Sequence, residues 1–172
     1  MNNTPKLYYV DYNAECHLCT DASEYGIGAY LYQWIGGKEV PIQFMSKKLT
    51  NTQRRWSIPE KEAFAIFYSL KKLAYLLRDR LFMLHTDHIN LKYVNDHAMT
   101  SDKVYGWKLE VQEYDFHLVF IAGTDNMVAD NMSRLCVMED TDTDEKVEYI
   151  NAIYEMFVPQ DIQNGFEKIH NQ

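Results

Sequence analysis

No apolar run in this 172-residue chain approaches the ~20 residues a membrane-spanning helix needs. The opening MNNTPKLYYVDYN lacks the charged-then-apolar form of a secretory signal, so an intracellular protein with no membrane partner is expected. Cysteine is scarce. Cys16, Cys19 and Cys136 are too few, and odd in number, for a disulfide framework. Cys16 and Cys19 form a C-x-x-C, but His17 and Leu18 lie between them in a strand-like run and no second pair exists. Reduced core or edge cysteines are the reading. A basic excess is missing too, with a net charge of −8. The acidity is concentrated, however. Val137 to Gln172 holds nine acidic and two basic residues, a balance of −7, which leaves −1 for residues 1–136. A near-neutral body does not exclude a nucleic-acid partner.

What is present is a core: 47% of the residues are hydrophobic, in a length that suits one domain with an appended segment. Residues 1–14 read as an entry segment. Glu15 to Asp21 and Gly26 to Trp34 read as strands, the second with Ile27, Ala29 and Leu31 on one face and Tyr30 and Tyr32 on the other. Gly36-Gly37-Lys38 signals a hairpin into a third strand, Val40 to Met45.

Ser57-Ile-Pro-Glu60 opens a helix with a capping box and a proline in the first turn. Ala63, Ile66, Phe67, Leu70, Leu73, Ala74 and Leu77 continue it at helical spacing. A strand over Leu81 to Thr86 follows, then helices over His88 to Asn95 and Lys103 to Glu113. A strand over Tyr114 to Ile121, a tight turn at Gly123-Thr124-Asp125 and a helix over Asn126 to Leu135 complete the body. The order β-β-β-α-β-α-α-β-α predicts an α/β fold, a five-stranded mixed sheet flanked by helices. Residues 137–172 read as an acidic linker and tail. No internal repeat is seen.

Four carboxylates stand out: Asp21 ends the first strand, Glu62 lies early in the first long helix, Asp87 ends the fourth strand and Asp130 lies in the last helix. Each also has an ordinary reading. Asp21 can begin a turn with Ser23, Glu62 can serve the helix dipole as Glu60 does, Asp87 can cap a helix, and Asp130 can lie on a solvated face. Gathered together, they would repel one another and be driven toward protonation. Two divalent cations offset that cost, hard oxygen ligands suit Mg²⁺ or Mn²⁺, and paired metals serve in-line displacement at phosphorus.

LCTDAS, EKEAFAI, LHTDHINLKYV, KVYGWKLEVQEYDFHLVFIAG and GTDNMVADNMSRL, in this order, resemble the RNase H domain of gypsy-type LTR retrotransposon polyproteins. The resemblance covers residues 5–136, and intervals of 41, 25 and 43 residues separate the four acids. It implies an RNase H-like fold over residues 15–136. It also implies two-metal hydrolysis of the RNA strand of an RNA/DNA hybrid during reverse transcription. Asp21 would bridge both Mg²⁺ ions, for which Mn²⁺ can substitute. Asp130 would share one ion with it, and Glu62 and Asp87 the other. Ala22, Ser23, His88 and Asn126 match positions that touch substrate. Lys47, Lys48, Arg54 and Arg55 are candidates for phosphate contact or simply a solvated face.

The chain departs from cellular RNases H in two ways. No histidine lies in Gly123 to Asp125, which implies slower turnover, and His117 reads as structural. The basic protrusion is also absent, leaving Lys71, Lys72, Arg78 and Arg80 and a weak unaided grip on hybrid. PKLYYVDYN resembles the connection from a polymerase. VPQDIQNGFEKIHNQ resembles the start of an integrase zinc-binding segment, with His170 as first ligand. Polymerase and integrase domains of one polyprotein are therefore expected partners, and a cytoplasmic virus-like particle the expected location. Two alternatives stand beside this reading. One is an inactive RNase H-like module serving as spacer or hybrid-binding surface; the other is an integrase or resolvase relative.

Overall fold

Alternation of side chains builds the first strand. In β1 (Glu15–Ala22), Cys16, Leu18 and Thr20 point to one face and His17, Cys19 and Asp21 to the other. The structure is a computed structural model that describes residues 10–88 and 101–135. β1 pairs antiparallel with β2 (Gly26–Ile35), and β2 pairs antiparallel with β3 (Lys38–Lys48). Gly36 and Gly37 make the two-residue turn between them, with φ of 60° and 77°. A side chain is disfavoured at both positions, as a type I′ hairpin requires. The β2–β3 register shifts between Leu31 and Tyr32, and Pro41 sits at that irregularity on the edge strand.

Past the hairpin comes a single helical turn, α1 (Asn51–Arg54), closed by a Thr50–Gln53 capping box; the sequence reading contains no helix there. α2 (Ile58–Lys72) starts as expected. The Ser57 amide donates to Glu60 Oε2 at 2.9 Å and Pro59 lies in the first turn. The long helix expected through Leu77 breaks at Leu73 and restarts as α3 (Ala74–Leu77). Across the break, Leu73, Leu76 and Leu77 all remain buried, so the apolar spacing marks the core even where the helix is interrupted. β4 (Phe82–Thr86), α4 (Asp102–Val111), β5 (Phe116–Phe120) and α5 (Met127–Arg134) follow. The helix expected over His88 to Asn95 lies, after His88, outside the described residues, as do the tail and Cys136.

The sheet order is β3-β2-β1-β4-β5, with β1–β4 and β4–β5 parallel. One face carries the main core: Cys16, Leu18, Ala29, Leu31, Phe82 and Leu84 pack under Ile66, Leu70, Leu73 and Leu77 of α2 and α3. Beside it, Trp107 of α4 joins Trp56, Phe64 and Phe67 in an aromatic cluster that seats α4 on α2. The opposite face packs Cys19 and Tyr30 against Ala129 of α5. Cys16 and Cys19 thus lie on opposite faces, as residues three apart in a strand must, and do not share a ligand. Both are free, and burial pushes the Cys19 thiol up to about 12. His117, read as structural, is exposed on β5. No helix among the described residues is long and apolar enough to cross a membrane.

Candidate active site

Parallel strands β1 and β4 end side by side, and their carboxyl ends carry Asp21 and Asp87. That edge of an open sheet, outside the strand ends, is where α/β folds place ligands. Glu62, in the second turn of α2, reaches it from the core face, and Asp130, in the first turn of α5, from the other. The four expected carboxylates therefore meet in one patch. Asp21 feels the charges of Asp130 and Asp87, and Glu62 those of Asp21 and Asp87. Asp87 is exposed, with Oδ2 beside Gly123 on the loop after β5.

Two of the four are buried. Asp21 is 6% and Glu62 3% exposed, and Asp21 Oδ2 and Glu62 Oε2 have no hydrogen-bond partner among the described residues. Burial first, then the neighbouring charges, pushes Glu62 up to about 9, against the Ala22 backbone amide that lies at its carboxylate. Burial likewise raises Asp21 to about 6; the Ser133 hydroxyl opposes it, while Asp130 and Asp87 add to it. Such a site holds protons, or cations in their place. Glu60 behaves differently. Burial would raise it, but Lys103 Nζ at 2.9 Å and the Ser57 amide and hydroxyl bring it down to about 2. Glu60 belongs to the helix start and Glu62 to the site.

The donor set fits divalent cations. Glu62, Asp87 and His88 each offer one atom, all within 4.8 Å of one another, and His88 Nδ1 stands 3.8 Å from Glu62 Oε1. Carboxylate oxygens suit Mg²⁺ or Mn²⁺.

The residues expected to touch substrate divide. His88 lines the patch and Ala22 borders it. Ser23 is turned inward: its Oγ donates to the Ser133 carbonyl at 2.8 Å and accepts from the Gly26 and Tyr25 amides at 3.0 and 3.2 Å. Asn126 is 2% exposed, with Nδ2 donating to the Thr20 carbonyl at 2.9 Å. Both side chains tie α5 to the β1–β2 corner, buried under the helix they fasten.

Three contributors were not singled out from the sequence. Arg134 Nε and Nη2 both lie 2.7 Å from Asp130 Oδ1, an i,i+4 pair that the spacing in ADNMSR could have shown. Ser133 sits at Asp21, and Gly28 lies under α5. Neither leaves a signal in local sequence, because both act across elements far apart in the chain. At the rim, the Arg54 guanidinium lies 4.4 Å over the Tyr25 ring, and Lys47 Nζ 5.0 Å over Tyr68.

Known proteins are similar to this chain in sequence and in fold. The family described as the RNase H-like domain found in reverse transcriptase matches residues 11–114. The Pol polyprotein of the transposon opus from Drosophila melanogaster is 38% identical over 120 residues, 69% of this chain and 12% of that protein. That of transposon 412, also from Drosophila melanogaster, is 32% identical over 137 residues, 80% of this chain and 11% of that one. The Tf2-3 polyprotein of Schizosaccharomyces pombe is 29% identical over 168 residues, 93% of this chain and 12% of that protein. This chain thus corresponds to a small part of each relative. Among solved structures, LC11-RNase H1 in complex with RNA/DNA hybrid superposes with a TM-score of 0.54 at 15% identity, covering 69% of this chain and 93% of that one. The foamy viral protease-reverse transcriptase in complex with RNA/DNA hybrid gives 0.52 at 17% identity, covering 64% and 16%. At such identities the structures speak for the fold, while the matched family and the transposon relatives speak for descent. The chain belongs to the RNase H-like domains found in reverse transcriptase, of the kind carried by LTR-transposon Pol polyproteins.

Proposed function

We propose that this domain hydrolyses the RNA strand of RNA/DNA hybrids, using two divalent cations held by Asp21, Glu62, Asp87 and Asp130. The observation that carries the reading is the pair of buried carboxylate oxygens without partners among the described residues, Asp21 Oδ2 and Glu62 Oε2, in a patch of four acids. Carboxylates in such a setting are costly unless cations offset them. Asp21 and Asp130 would hold one ion, and Glu62 and Asp87, with Asp21, the other. Such ions would supply water activation and charge stabilisation at the leaving oxygen, consistent with 5′-phosphate and 3′-hydroxyl ends.

The chain's own groups do the positioning. β1 fixes Asp21 at a strand end, the Ala22 amide orients Glu62, and Arg134 pairs with Asp130. The exposure of Asp87 and the partial exposure of His88 leave the patch, among the described residues, a side from which a nucleic-acid backbone can approach. Arg54, Arg55, Lys47 and Lys48 border that approach as phosphate contacts, so binding weakens as salt rises. Residues 1–14 lead in from a polymerase and residues 137–172 toward an integrase, within one polyprotein.

The test is cleavage of a hybrid labelled on its RNA strand by the full chain, with Mg²⁺, with Mn²⁺ and with chelator. Cutting that needs metal and is lost in Asp87→Asn, with the fold retained by circular dichroism, is expected. Full activity in that variant would remove the assignment. Hybrid binding with no cutting at any metal concentration would replace it with a binding module.

A further inference from the structure

The imidazole of His88 turns toward α2 and the carboxylates. Its Nδ1 lies 3.8 Å from Glu62 Oε1, and its side chain is 26% exposed. The segment that carries it is tied to the end of β4, where the His88 amide donates to Oγ1 of buried Thr86 at 3.2 Å. One donor atom each from Glu62, Asp87 and His88 falls within 4.8 Å of the others. Ligands at about 2.1–2.2 Å from a single cation stand about 3.0 Å apart when adjacent and about 4.3 Å apart when opposite. The 3.8 Å separation lies between these limits. The Glu62 side chain is 4% exposed and its Oε2 has no partner among the described residues, so the cluster contains a buried acceptor that a cation would satisfy.

We infer that His88 is a nitrogen ligand to the cation held by Glu62 and Asp87, and that it biases this position toward Mn²⁺ over Mg²⁺. The inference rests on the proposed reading of the carboxylates as a divalent-cation site. Mg²⁺ favours oxygen donors and keeps its waters, whereas imidazole suits first-row transition metals. Ligation uses the Nδ1 lone pair, so the ring proton sits on Nε2. A substrate-contacting histidine would have no effect on metal choice in the absence of nucleic acid; a ligand does.

The experiment uses the full 172-residue chain without nucleic acid. Calorimetric titration with Mn²⁺ and with Mg²⁺ gives the affinity ratio. Pulsed electron paramagnetic resonance of the Mn²⁺-loaded protein detects a directly bound histidine nitrogen. Nitrogen coupling is expected, shifting to the ¹⁵N pattern when histidine is isotopically labelled. In His88→Ala the coupling is lost and the Mn²⁺:Mg²⁺ affinity ratio falls about tenfold. The labelled parent protein reports the bond even if the variant folds poorly. Mn²⁺ bound without nitrogen coupling, or an unchanged ratio in a folded His88→Ala, overturns the inference. If hybrid is still cut in that case, the ribonuclease reading stands and His88 alone is displaced from the ligand set. If neither metal binds and no hybrid is cut, both fall.

Discussion

Asp21 faces Gly28 across the antiparallel ladder of β1 and β2, and the missing side chain at Gly28 is the space that α5 fills. A Cβ on Gly28 would overlap the Ala129 carbonyl oxygen and the Ser133 amide, and would come within 2.7 Å of Met132 Cβ. The residue opposite the central carboxylate thus sets how closely the helix bearing Asp130 approaches it.

Gly28→Ala is expected to push α5 outward, since its backbone, not a flexible side-chain end, is what the new atom meets. Overpacking of this kind costs ~1–3 kcal/mol. Hybrid cleavage should fall further than the lost stability explains, because Asp130 moves away from Asp21. Thermal melts and a cleavage assay on the same preparation check both; a variant with unchanged melting and activity would show that α5 is not seated on this glycine.

Ser23→Ala separates the positioning role from substrate contact. Losing the bond to the Ser133 carbonyl and leaving the Gly26 amide unpaired should cost about 1–3 kcal/mol. KM for hybrid should stay near the parent value while melting temperature drops. A raised KM at unchanged melting temperature would return Ser23 to the substrate.

Stability of the metal-free protein should fall as pH rises. Glu62 has an ordinary value of 4.5 and is pushed up to about 9 in the folded state. Between those values the folded protein keeps a proton that the unfolded chain has released. The stabilisation is complete below 4.5 and lost as pH passes the folded value. Glu62→Gln in chelator should remove most of this slope and be more stable than the parent at pH 8, by ~2 kcal/mol. Denaturant titrations at pH 5, 7 and 8.5 measure it; parallel curves for the two proteins would contradict the burial argument.

The face of the sheet that α5 covers, to which Asp21 also points, carries a second titrating pair, distinct from the carboxylates in function. His17 Nδ1 lies 3.0 Å from His85 Nε2, with the Tyr32 ring stacked on His17 at 4.7 Å. Burial, then the neighbouring His17, brings His85 down to about 4, with Glu15 opposing; burial also lowers His17. From 6.5 down to about 4 the unfolded chain takes up a proton the folded one refuses, so this contribution is present above 6.5 and lost as pH falls through 4. His85→Gln should lessen the acid sensitivity between pH 6.5 and 4.5 by about 1–2 kcal/mol, read as the difference between parent and variant unfolding curves. An equal acid slope in both would sink it.

Much of this molecule is legible along the chain because the relevant physics is local. Alternation identified β1 and β2, and paired glycines placed the hairpin. Ser57, Pro59 and Glu60 set the start of α2, where the structure has them. The break at Leu73 was not legible, since the apolar spacing continues through it. α1 escaped because four residues carry too little periodicity to read. Asp21, Glu62, Asp87 and Asp130 were marked by their motifs, and the fold brings them to one edge. The inward bonds of Ser23 and Asn126 were not legible, because a polar residue near a site looks the same in sequence whether it faces the ligand or fastens a helix.

The sequence alone determined the element types, the strand-end positions of Asp21 and Asp87, and the four-acid set, because period, capping and motif spacing are properties of short segments. The tertiary structure decided the rest. It set which carboxylates are buried, how close α5 comes through Gly28, which oxygens lack partners among the described residues, and that His88 turns toward Glu62. Burial and charge coupling depend on contacts between segments far apart in the chain, and only the packed sheet with helices on both faces brings those segments together.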